Sequence, residues 1–211
     1  MLRGRTLAGG GKTILAYSII DYLWTNHRSD AVGVAYFYCD YNDPSKQSPS
    51  KVLSTLLYTL GRQSPVVFAQ LQKFYQKQQQ EGSIYKVELD EIRNNFSSFI
   101  LDAFSHVFIV VDALDECGTD WKCLANSLKV IGKGYAANIK VLVTSRNEPG
   151  IGKVFKGLPT ISITHCDVEE DLRSWIAAEI RERIEENELE LGDESLEHEI
   201  VSTLINQAQG M

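Results

Sequence analysis

Two hydrophobic rhythms take turns along this chain. Short, largely apolar runs alternate with longer stretches in which apolar residues recur every three or four positions. The short runs are AVGVAYFYC at 31–39, HVFIVV at 106–111, IKVLVT at 139–144 and a brief one at 160–164. Each is rich in β-branched and aromatic residues and has strand length. The longer stretches read as helices over 12–24, 51–61, 65–80, 89–104, 121–132 and 167–186, with a last one starting near 196. Their stripes are Ile14, Leu15, Ile19, Tyr22 and Leu23 in the first, and Val52, Leu53, Leu56, Leu57 and Leu60 in the second. Ile92, Phe96, Phe99 and Ile100 mark the fourth, and Val168, Leu172, Trp175, Ile176, Ile180 and Ile184 the one after residue 166. Gly61 suits a helix stop, Pro65 a first turn, and Asp167 with Glu170 a capping box. Strands without polar alternation, separated by helices, predict a parallel sheet covered on both faces. Residues 1–6 (MLRGRT) are too short and too charged for a good core strand.

Length and composition narrow this further. A chain of 211 residues fits one α/β domain with a small appendage. At that size folding buries about 70% of the unfolded surface. Apolar and charged fractions of 44% and 23% are those of a soluble globular protein. The net charge of −7 is uneven, with fourteen acidic against three basic residues between Asp167 and Ile200. That argues against a nucleic-acid surface there. Cys39, Cys117, Cys123 and Cys166 form no C-x-x-C pair and read as buried reduced thiols. No apolar run is long enough for a membrane span, and the basic N-terminus is not followed by the apolar core of a signal peptide. A cytoplasmic protein is expected.

Three stretches carry candidate chemistry, and each stands at an element boundary. AGGGKT at 8–13 has Gly9, Gly10 and Gly11 ahead of Lys12 and Thr13. Small residues let backbone N–H groups close around a phosphate, the lysine faces the terminal phosphates, and the hydroxyl is placed to ligate Mg²⁺. The pattern G-x-x-x-x-G-K-[ST] is incomplete, because its first glycine is Thr6 here. VFIVVDALDEC at 107–117 delivers Asp112 at a strand's C-terminal edge, where open α/β sheets bind ligands. A carboxylate there holds the Mg²⁺ that bridges nucleotide phosphates. Asp115 or Glu116 on the next turn is placed to orient or deprotonate a water. KVLVTSRNEP at 140–149 ends its strand in Arg146, a cation for a γ-phosphate. His27, His106, His165 and His198 are scattered and make no triad, and Trp24, Trp121 and Trp175 read as core. Asp40 and Asp43 are explained equally well as turn residues.

Taken together, AGGGKT, AYFYCDY at 35–41, IVVDALDEC at 109–117 and VLVTSRNEP at 141–149 resemble the NACHT-type NTPases of the STAND class. The likeness is greatest to fungal proteins carrying the nephrocystin-3-like N-terminal domain, and the terminal QAQGM looks like the start of that family's next motif. The resemblance implies a three-layer P-loop NTPase sandwich with strand order 5-1-4-3-2 and a degraded or truncated first strand. It implies a core over 1–186 and, over 187–211, an acidic linker and the start of a helical region. By the same resemblance Lys12-Thr13 is the Walker A motif, Asp112 the Walker B aspartate, Asp115-Glu116 the extra acidic pair and Arg146 the sensor arginine. Ala113 stands where many related ATPases have their catalytic glutamate, so a base must be Asp115 or Glu116.

The implied function is Mg²⁺-dependent binding of ATP or GTP in a signalling switch, with hydrolysis slow or absent. The implied partners are other copies or the effector and repeat domains of a longer protein, with no nucleic acid and no membrane. The alternatives are a non-enzymatic scaffold that keeps the fold and an inert fragment of a longer protein. A small-molecule kinase suits the residues less well, because the paired Asp115-Glu116 fits water activation and no arginine-rich lid is visible.

Overall fold

The computed structural model describes residues 2–6, 11–44, 47–80, 88–133, 138–162 and 165–208. Side chains of 2–6, 79–80, 165–169, 171–172, 194–195, 206 and 208 lie outside that description. The elements run β1 (Leu2–Thr6), α1 (Lys12–Asn26), β2 (Val32–Tyr38), α2 (Pro49–Gly61), α3 (Pro65–Gln80), α4 (Leu89–Leu101), β3 (His106–Asp112), α5 (Trp121–Lys133), β4 (Ile139–Arg146), α6 (Pro149–Val154), β5 (Thr160–Ser162), α7 (His165–Glu185) and α8 (Glu194–Ala208). A single 3₁₀ turn, Leu114–Glu116, follows β3. The sheet order is β2-β3-β4-β1-β5, the expected 5-1-4-3-2 read from the other edge. Leu2–Thr6, weak as a strand by composition, takes the first strand's place in it.

Strands β2, β3 and β4 run parallel, with Tyr38 opposite Asp112 and Val111 opposite Val143. Their side chains alternate between two apolar layers. Ala35, Val107, Ile109, Val111, Val141 and Val143 face a core completed by Leu53, Leu56 and Leu60 of α2, Phe96 and Ile100 of α4, and Leu124 and Leu128 of α5. Val110 faces the opposite way, onto Ala16 and Ile20 of α1, with Leu142 and Tyr38 alongside. That is the three-layer α/β sandwich. Burying the sheet on both faces removes the polar alternation that a half-exposed strand would show.

The stripe expected for α1 is displaced. Ala16 and Ile20 are its buried residues, whereas Ile14, Leu15 and Tyr22 are exposed. Among the described residues this helix packs on β2, β3 and β4, where a narrow strip of small and β-branched side chains suffices on its inner side. The stripes of α2 and α4 fall as the sequence predicts, because both pack in the larger layer. Helix α6 has no counterpart in the sequence reading; Gly150 and Gly152 argue against a helix there. Gly150 sits close against Trp121, where a Cβ would stand 3.0 Å from the ring.

The chain divides into two compact units, residues 1–5 with 11–161, and 6–10 with 162–211. The second has its own small core of Ile176, Ile180, Val201 and Ile205, contributed by α7 and α8. Trp175, expected in this core, is exposed, whereas Ile184 packs against it. Helix α7 ends in a Schellman motif: Asn187 has φ 57, its N–H donates to Ile184 O, and the N–H of Glu188 donates to Arg183 O. The side chains of Val168 and Leu172, the Asp167 half of the capping box and the last residues of QAQGM lie outside the described residues.

Candidate functional site

Helix α1 begins from Gly11, whose φ of 67 and ψ of 14 put it in the left-handed region. Glycine enters that conformation freely, and nothing stands within 4 Å of where its Cβ would be. Gly11, as N-cap, makes no side-chain cap bond at this helix start, and the first N–H groups of a helix are a ready site for an anion. Lys12 and Thr13 are the first two helical residues. Gly9 and Gly10 lie outside the described residues.

Thr13 meets the C-terminal edge of the sheet. Its Oγ1 donates to Oδ2 of Asp112 at 2.7 Å, a bond spanning 99 residues of sequence. Asp112 ends β3 and is 2% exposed. Its other oxygen, Oδ1, accepts a short hydrogen bond from the hydroxyl of Thr144 on β4. The Thr144 hydroxyl in turn accepts the N–H of Ala113 at 2.9 Å. Ala113 is one of two described non-glycine residues at positive φ, with φ 53 and ψ 50. An alanine held there costs about 1–2 kcal/mol, offset by the Thr144 bond and by Ala113 being buried. The kink turns the chain from β3 into the 3₁₀ turn that carries Asp115 and Glu116.

These two acids reach back to the end of β4. Asp115 Oδ1 accepts the main-chain N–H of Arg146 at 2.8 Å, and its Oδ2 lies 3.4 Å from Arg146 Nε. Glu116 Oε1 accepts from Arg146 Nη2 at 3.2 Å. Lys12, Thr13, Asp112, Asp115, Glu116 and Arg146 all belong to the first unit. Thr13 meets Asp112 directly, and both acids of the turn meet Arg146. Two of these bonds change the picture drawn from sequence. Asp115 is engaged through both oxygens, and Thr144, which the sequence reading passed over as a strand residue, links Asp112 to Ala113. Its signal was present: a hydroxyl directly after the apolar run 141–143, two residues before Arg146.

Neighbouring groups frame this edge. Tyr38 is pushed above the usual phenol range by burial, with Tyr36, Asp112 and Tyr17 adding to it. Cys39 and Cys117 are buried and share a hydrogen bond, which with burial pushes the Cys39 thiol well up. Cys123, expected to be buried as well, is exposed on α5, and Cys166 lies outside the described side chains. Cys117 Sγ also donates to Gln47 O at 3.4 Å, and Gln47 Nε2 donates to Tyr41 O at 2.7 Å, fastening the loop after β2 to the acid turn. A cleft of about 510 Å³ opens between them, lined by Tyr41, Gln47, Asp115, Gly118, Thr119 and Trp121. Asp40 makes a turn, its Oδ1 accepting the Asn42 N–H.

The donor set fits a Mg²⁺-nucleotide. Magnesium takes few protein ligands, hard oxygens, and completes its shell with water and phosphate. Thr13 and Asp112 supply such oxygens in contact, beside the start of α1 and Lys12. Among the described residues no cluster of three or more His, Cys, Asp or Glu is placed to hold a metal alone.

Residues 2–146 match the family model described as nephrocystin 3, N-terminal. The chain belongs to that family. The likeness to NACHT-type P-loop NTPases carried by the four sequence stretches is borne out. The vegetative incompatibility protein HET-E-1 of Podospora anserina is 33% identical over 150 residues, which is 68% of this chain and 10% of HET-E-1. Among solved structures, Aeropyrum pernix Orc1 in complex with DNA superposes with a TM-score of 0.51 at 15% identity. The match covers 82% of this chain and 42% of Orc1, and shows a shared fold. The chain thus spans a small part of HET-E-1 and less than half of Orc1. No described helix is long and apolar enough to cross a membrane.

Proposed function

We propose that this domain binds Mg²⁺ with ATP or GTP and works as the nucleotide module of a larger STAND-type signalling protein, in the cytoplasm. The observation that carries the reading is the Thr13–Asp112 bond at 2.7 Å, between a helix start and a sheet edge that sequence holds far apart. Lys12 holds the terminal phosphates as a point charge. Thr13 and Asp112 hold the metal, whose chemistry when bound is to neutralise charge on the phosphate oxygens. Arg146 meets the γ-phosphate, and an acid of the 3₁₀ turn orients water. HET-E-1 is a vegetative incompatibility protein of far greater length, which favours a signalling role and effector or repeat domains as partners.

Hydrolysis is slow or absent in this reading. With Asp115 held by Arg146 through both oxygens and Glu116 paired to the same guanidinium, neither acid is poised as a base. The same observation favours a second reading, a scaffold that keeps the fold without turnover.

Titration of fluorescent ATP and GTP analogues, with and without Mg²⁺, tests binding. Saturable Mg²⁺-dependent binding, weakened at least tenfold by Lys12→Ala, is expected. Absence of binding at millimolar nucleotide, with circular dichroism showing folded protein, overturns the proposal. A switch loses nucleotide-dependent assembly in Lys12→Ala, whereas a scaffold keeps its assembly.

A further inference from the structure

Asp115 and Glu116 stand side by side in sequence, yet they hold Arg146 in different ways. The side chain of Asp115 is 5% exposed, and each of its oxygens has a partner on Arg146, one in the main chain and one at the root of the guanidinium. Removing a buried carboxylate from such partners leaves both sides unsatisfied. This grip fixes the end of β4 itself. Glu116 is more exposed, at 27%, and holds only Nη2, the outer end of a guanidinium that is 52% exposed. A solvent-facing pair of this kind shifts an equilibrium by only about 2- to 5-fold. It is an exchangeable contact.

We infer that the two acids have separate tasks: Asp115 is a positioning residue that aims Arg146, and Glu116 is a resident anion that a terminal phosphate must displace from it. This rests on the Mg²⁺-nucleotide reading and assigns the site's discrimination between tri- and diphosphates. Asp115 keeps the main chain and Nε in place while the Nη end changes partner. A γ-phosphate offers the fork more charge and more acceptor oxygens than a single carboxylate oxygen does. A diphosphate has no group to put there, so Glu116 retains the arginine.

The test is the ratio of diphosphate to triphosphate Kd, measured by calorimetry with Mg²⁺ using ADP against AMP-PNP and GDP against GMP-PNP. Glu116→Gln removes the competing charge and should raise the preference for triphosphate about 2- to 5-fold. Arg146→Ala should bring the ratio towards one, and Glu116→Gln added to Arg146→Ala should change nothing further. Asp115→Asn keeps an acceptor for the main-chain N–H but loosens the guanidinium, and should lower the preference. If Glu116→Gln leaves the ratio unchanged or lowers it, or if Asp115→Asn raises it as Glu116→Gln does, the division of tasks is wrong while nucleotide binding stands. A folded wild-type protein that binds none of the four nucleotides overturns the nucleotide reading and this inference together.

Discussion

At the scale of single residues, Thr144 carries more of the site than its place in a strand suggests. Its one hydroxyl donates to Asp112 and accepts from Ala113, so it sets both the carboxylate's orientation and the left-handed kink after it. Thr144→Val keeps the shape but leaves a buried N–H and a buried carboxylate oxygen each short of a partner. We expect a loss of about 1–3 kcal/mol, read from denaturant unfolding. We also expect the Mg²⁺ concentration needed for nucleotide binding to rise about tenfold, the equivalent of 1.4 kcal/mol, with Mg²⁺-free nucleotide affinity unchanged. Thr144→Ser should restore both. A variant of wild-type stability and Mg²⁺ response would remove Thr144 from the site. The sequence placed Lys12, Thr13, Asp112 and Arg146 at element ends by period and composition. It did not reveal which hydroxyl meets which carboxylate, because the Thr144–Asp112 contact joins residues 32 apart on neighbouring strands. Pairing of this kind depends on which strands become neighbours, as β3 and β4 do, and the pattern within one strand does not name its neighbour.

At the scale of elements, β2 poses a problem: it lies at the edge of the sheet, where unpaired N–H and C=O groups invite association with other chains. The residue after the C-cap of α2 closes it. Gln63 Oε1 accepts the Val34 N–H at 3.1 Å, and Gln63 Nε2 donates to Val34 O at 2.8 Å. The side-chain amide thus stands in for a neighbouring strand at one residue. The approach of helix to strand that permits this also needs Gly33, where a Cβ would lie 2.8 Å from a Leu60 methyl and 3.2 Å from the Phe104 ring. Gln63→Ala should destabilise by about 1–2 kcal/mol, two net hydrogen bonds. It should also increase light scattering during a thermal ramp as the edge is bared. Unchanged stability and unchanged scattering would show that water replaces the amide without loss. Elements of this kind were legible where burial is one-sided and deep, as on α2 and α4. Helix α1 was legible as a helix but not in its orientation, because its exposed Ile14, Tyr17 and Tyr22 are as apolar as its buried strip. Helix α6 was invisible because Gly150 and Gly152 lower its helix propensity, although Gly150 packs closely on Trp121.

At the scale of the molecule, the two units differ most in how much apolar core each has. The first closes both faces of a sheet with two apolar layers. The second rests on Ile176, Ile180, Val201 and Ile205, and its surface is crowded with like charge, including Glu179, Glu182, Glu185, Glu186, Glu188, Glu190, Glu197 and Glu199. Arg183, paired with Glu179 and Glu188, and Arg181, paired with Glu197, relieve part of it. Such exposed pairs contribute about 0–1 kcal/mol each. A unit of this size holds only a few kcal/mol in total, at about 0.05–0.15 kcal/mol per residue. Truncating one of four core residues, Ile180→Ala, removes about 2–5 kcal/mol. That is comparable to the unit's whole stability, so the 21 residues of α7 and the 15 of α8 should lose helicity. Circular dichroism should show that loss, amide exchange should localise it to 165–208, and the exchange-protected core of β3 and β4 should stay as it was. Added salt should restore part of the lost helicity by screening the glutamates. Unfolding of both units together in Ile180→Ala would instead mean that they form one cooperative structure, and an unchanged spectrum would mean that α7 and α8 draw their stability from something other than this four-residue core.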